Sequence, residues 1–264
     1  MIRHFQIAVF VYAALLAGCN KGERQPDLKG VKIGDIAPMT GNKQTNQTLK
    51  TINFDFVTFE LPAEKIGSLN EVWAVLKTEP LRLADANAFA ENSFRAGAGQ
   101  GAALDRVVST IASAGGKKMG ATLLLVPDGQ AETLNIVRLS GRTILSYVAS
   151  GGSLQHIDIG PGTLGLRITA RKLAGSRALC NIQAMPVFSP STEGLAPQLA
   201  ARVRAGEFQF TPVGFGLRMK PGDFILLAPQ QHIADRSKLG GLFFATPAGK
   251  PSVTVLLLIC TGVV

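Results

Sequence analysis

The chain has 264 residues, 27 Lys and Arg against 18 Asp and Glu, and 46% hydrophobic content. At roughly 150 residues per domain, that length allows one large domain or two small ones, with core enough to need no disulfide scaffold. Three Cys exclude a cysteine-rich secreted scaffold, three His argue against most zinc enzymes, and 17% charged residues argue against a disordered chain.

Residues 1–18 open with a cation, Arg3, and continue with an uncharged run from Phe5 to Gly18. Such a run is too short for a comfortable transmembrane helix, which needs about 20 apolar residues. A positive start, a short apolar run and small residues at its end make a secretory signal. The end itself, Leu16-Ala17-Gly18-Cys19, resembles the lipobox of bacterial lipoproteins. That resemblance implies cleavage before Cys19, acylation of Cys19 and a cell-envelope address. Asn20 after the Cys favours the outer membrane by the family's sorting rule. Residues 19–49 carry few large apolar residues and no helical or strand period, so they read as a tether.

The folded body is expected from residue 50. Ile52, Phe54 and Phe56 alternate with polar residues, as a half-buried strand requires. Pro62 starts a predicted helix of about four turns, with Ile66, Leu69, Trp73 and Leu76 on one stripe. Leu81-Arg82-Leu83 is a short strand, and Asp85 caps a short helix running through Phe94. The run Gly97-Ala98-Gly99-Gln100-Gly101 reads as a flexible loop, because its spacing is not the dinucleotide fingerprint. Leu104, Val107, Val108 and Ile111 give a second helix, ended by Gly115-Gly116, and Ala121–Val126 is an apolar run closed by Pro127-Asp128-Gly129. Residues 50–129 therefore form a small α+β layer.

From residue 130 short alternating runs dominate, as in Leu164, Leu166, Ile168 and in Phe215, Leu217, Met219. Phe224–Ala228 and Val253–Cys260 are continuous apolar runs, suited to strands covered on both faces. Turns at Gly151-Gly152, Gly160-Pro161-Gly162 and Pro221-Gly222-Asp223 separate them. Residues 130–264 are expected to be β-rich, a sandwich or a folded-over sheet. Leu195, Leu199 and Val203 allow one short helix there. The fold class is α+β, and the two parts are expected to pack as one compound domain.

The familiar catalytic signatures are absent: no G-x-S-x-G elbow, no Ser-x-x-Lys pair and no phosphate loop. His156 and His232 have no His or Cys at metal spacing. No enzyme, metal or cofactor is expected, and nucleic acid is not a partner behind a secretion signal. Arg138, Arg142, Arg167, Arg171 and Lys172 lie on expected solvent faces of strands. They could meet anionic lipid, an anionic ligand or a cell-wall polymer, or serve as an ordinary solvated surface. Cys180 and Cys260 sit in apolar, strand-like surroundings. They read as small buried hydrophobes, although an envelope compartment also permits a disulfide.

Several stretches resemble the secretin domain of bacterial secretion systems. They are Leu104–Val108 leading to Val126–Ala131, Thr163–Thr169, Cys180–Gln183, the Gly-centred hairpin Met219–Leu227, Leu239–Phe244 and the last strand Val253–Thr261. The order of elements matches over about residues 102–264. The Val-Pro-x-Leu-Gly-Asp-x-Pro segment of that family and its ring-building N-terminal modules are missing. The resemblance implies a structural or assembly role at the envelope, with self-association or an apparatus partner joined through sheet edges. The competing expectation is a binding module for an anionic ligand or polymer.

Overall fold

The computed structural model describes residues 50–176, 178–204, 206–246 and 250–264. Cys19, the lipobox and the tether lie outside them.

Sheet A takes its strands from both ends of the chain. β1 (Thr51–Pro62), β3 (Phe94–Gln100), β4 (Lys117–Pro127), β12 (Asp223–Pro229) and β13 (Ser252–Val263) run in the order β3-β12-β13-β1-β4, all antiparallel. The expected α+β layer of residues 50–129 is thus not a separate sheet, because β12 and β13 stand between β3 and β1. Sheet B runs β2 (Arg82–Leu83), β11 (Phe215–Met219), β9 (Cys180–Pro190), β8 (Gly162–Lys172), β5 (Ala131–Leu139), with the short β10 (Phe208–Gln209) also on β9. A separate hairpin, β6 (Thr143–Val148) and β7 (Leu154–Ile159), completes the strands.

Sheet A is buried on two faces, and its sequence shows why. Along β13, Leu256, Leu258 and Cys260 point into the core shared with sheet B. Val253, Val255 and Leu257 point the other way, against Val72, Val107 and Ile111 of the helices α1 (Leu69–Val75) and α3 (Gly101–Ser113). A strand covered on both sides needs no polar alternation, which is the pattern read from Val253–Cys260. The body is a β-sandwich with a helical layer outside sheet A. An aromatic cluster of Phe89, Phe94, Phe215, Phe243 and Phe244 fills part of the sandwich core, with ring centroids 4.8–6.1 Å apart.

Four local expectations are revised. The helix after Pro62 is a 3₁₀ segment, Ala63–Ser68, followed by only seven α-helical residues. Gly67-Ser68 marks the change, where helix propensity is low. Asp85 does cap α2 (Ala86–Glu91), accepting the amides of Asn87 and Ala88 at 3.0 Å. The amide of Ala88, together with those of Gly151 and Asn87, holds its carboxyl below the usual carboxylate range. That helix stops at Glu91 because Ser93, at φ 64°, turns the chain into β3. The Gly97–Gly101 run is no loop: Gly97 and Gly99 belong to β3. A Cβ on Gly97 would stand 2.8 Å from Leu76 Cβ, and one on Gly99 would enter the ring of Phe224. Gly97 lets helix and sheet approach closely, and Gly99 makes room for the Phe224 ring of the neighbouring strand. Finally, Met219–Leu227 is not a hairpin, because β11 lies in sheet B and β12 in sheet A.

Candidate functional site

The Ser146 hydroxyl and His156 Nδ1 are 2.9 Å apart, on facing positions of the β6–β7 hairpin. This is the ordinary contact of a cross-strand pair. Among the described residues no acid is hydrogen-bonded to the His156 ring, which a nucleophile–base arrangement uses to orient its base. Among them, no group of three or more His, Cys, Asp or Glu is placed to hold a metal ion.

The five cations do not form one uncommitted basic patch. Arg138 meets both carboxylate oxygens of Glu193 at 2.6 Å, and Arg142 meets Asp158 at 3.0 Å. Both pairs are largely exposed, so each contributes little stability while neutralising its Arg locally. Arg167 is more deeply placed and makes a two-pronged contact with Glu207, one prong at 2.6 Å. Ser189 donates to the same carboxylate at 3.2 Å. Arg171 lies beside the Gly129 turn, and the amide of Lys172 donates to Asp128 at 2.7 Å. Three of the five residues thus have a carboxylate partner within this chain.

The feature that stands out is a sheet edge. β4 is the last strand of sheet A, hydrogen-bonded to β1 on one side, and no strand among the described residues pairs with its other side. Its inward residues Leu124 and Val126 enter the sandwich core. Its outward row does not meet the helices: Met119 and Leu123 are each 61% exposed, Leu125 is 51% exposed, and Ala121 between them is exposed too. The helical layer covers Val57 of β1 but stops short of Asp55, which stands exposed directly opposite Leu123.

The other sheet ends are blunted in ways natural proteins use against edge pairing. The backbone of Lys77 bridges Ala98 of β3 with two hydrogen bonds, at 2.8 and 2.9 Å. β2 is only two residues long. β5 carries a register shift between Asn135 and Val137, then Arg138. β4 has a register shift opposite Thr58 and Phe59, with Lys117 and Lys118 at one end. The seven residues from Ala121 to Pro127 are a regular, largely apolar ladder. Sequence reasoning found this apolar run but not its location at an edge; the only hint was the pair of lysines before it. No helix among the described residues is long and apolar enough to cross a membrane.

Comparisons with protein-family models, with curated proteins and with solved structures found no match.

Proposed function

We propose that this chain is a lipid-anchored envelope protein with a structural or assembly role, in which the body associates with further copies of itself through β4. Cys19 carries the acyl chains, residues 20–49 are the tether, and the body presents the edge. The observation that supports the reading is the open edge of β4 with its exposed Met119, Leu123 and Leu125.

A second β4 is the occupant that suits this edge best. Two antiparallel strands related by a two-fold axis make a self-complementary contact. An axis at Thr122 sets Ala121 opposite Leu123, with the exposed Met119 and Leu125 flanking that pair. Backbone hydrogen bonds supply attraction and the side-chain row supplies register. A tether of about 30 residues reaches about 100 Å when extended, which leaves the body free to find a neighbour. The sequence resemblance to the secretin domain, without its Met219–Leu227 hairpin, points to the same kind of role, as a component of a secretion or pilus system.

Two measurements test the reading. Extraction of the full chain in mild detergent, followed by a size measurement, should give an assembly larger than one chain; a strict monomer contradicts it. Cys19→Ala should move the protein from the membrane to the soluble fraction, and unchanged membrane association contradicts the anchor.

A further inference from the structure

Cys180 and Cys260 lie on different sheets yet meet in the core. Cys180 opens β9 in sheet B, where it is paired with Met219 of β11 and Lys172 of β8. Cys260 is near the end of β13 in sheet A, paired with Phe54 of β1. Both are 0% exposed and belong to the same core between the sheets. The two thiols are near enough for each to shift the other's acidity, Cys180 down and Cys260 up. The Cys180 thiol is also 3.4 Å from the Met219 carbonyl.

The chain itself brings the two sheets together at this point. Met219 ends β11 and Asp223 starts β12, with only Lys220, Pro221 and Gly222 between them. The Asp223 amide donates to the Lys220 carbonyl at 3.0 Å, and the Lys220 amide donates to an Asp223 carboxylate oxygen at 2.9 Å. Such a turn holds its ends within about 7 Å. The Gly222 amide then donates to the Cys260 carbonyl at 2.8 Å. One cysteine is therefore bound to the residue before the turn and the other to a residue within it. Sheets packed face to face usually stand about 10 Å apart; this turn draws them toward the separation a disulfide spans.

We propose that Cys180 and Cys260 form a disulfide that staples sheet A to sheet B, closed by a small-molecule or protein disulfide oxidant during folding. One of the two thiolates attacks the oxidant disulfide and displaces one thiol. The other thiolate then attacks the mixed disulfide and displaces the second. The oxidant gains two electrons and the two protons, and the chain loses two hydrogens. In the finished core neither thiol is exposed, so the exchange belongs to the stage before the sheets close.

The bond closes a loop of about 80 residues, a length for which the constraint on the unfolded chain is large. Its use in the cell rests on export to an oxidising compartment, as in the reading above. The chemistry is tested apart from that address. The full chain bearing Cys19→Ala is refolded in detergent with reduced and oxidised glutathione, then denatured and alkylated without reduction. Peptide mapping should show Cys180 and Cys260 linked and neither alkylated. Free thiols, or separate glutathione adducts on the two residues, overturn the proposal whatever the cellular location. As a second readout, reducing the linked protein should lower its melting temperature by at least about 5 °C. The same reductant should leave a Cys180→Ala, Cys260→Ala variant unmoved; an equal shift in that variant overturns the assignment to this pair.

Discussion

Val253–Cys260 and Ala121–Val126 are both apolar runs in long strands of the same sheet, and they meet opposite fates. The first lies in β13, between β12 and β1, with sheet B on one face and helices α1 and α3 on the other. The second lies in β4, at the rim, with one face in the core and the other in water. Hydrophobic pattern reports that a strand has apolar surface to bury. The place of the strand in the sheet decides whether the chain buries that surface by itself. Where it does not, the remaining apolar row is available to a partner.

Substitutions along the sheet should separate the two roles. The largest effect is expected in the middle: Leu257→Ala empties a site between β13 and the helices and should cost about 2–5 kcal/mol in denaturant unfolding. A loss well under 1 kcal/mol would show that the helical layer is loosely packed. The next effect belongs to β3, the opposite edge. Gly99→Ala pushes a methyl into the Phe224 ring and should cost about 1–3 kcal/mol; no change would mean that the close approach of β3 to β12 is not needed. The smallest effect on stability is expected at β4. Leu123→Lys should change unfolding by no more than about 0.5 kcal/mol, since the side chain is mostly exposed. The same variant should nevertheless abolish self-association, and a large stability loss without a change in size would break the comparison.

Much of this fold is legible in the sequence, and the parts that are not have physical reasons. The alternation of Leu164, Leu166 and Ile168 and the stripe of Leu104, Val107 and Ile111 mark a strand and a helix because one face of each is buried. The Asp85 cap is local chemistry and is readable for that reason. Gly97–Gly101 misleads because glycine runs are usual in loops; only the rings of Trp73 and Phe224, distant in sequence, explain why a strand needs them. Strand order is also hidden. Nothing local in Met219–Asp223 distinguishes a hairpin from a crossing between sheets, and on that difference depends the meeting of Cys180 with Cys260. Likewise Glu193, Asp158 and Glu207, the partners of the arginines, come from segments 16 to 55 residues away. The open edge is therefore a property of topology, and the sequence shows only the apolar residues that make it matter.

The direct test of β4 pairing is a cross-link at the proposed axis. Thr122→Cys in the soluble full chain bearing Cys19→Ala places one new thiol at the centre of the strand. The account predicts an oxidised, covalent dimer in high yield on a non-reducing gel, with no such dimer from Ser140→Cys, off the edge of β4. A Thr122→Cys protein that stays at the mass of one chain, or that cross-links no better than Ser140→Cys, contradicts it.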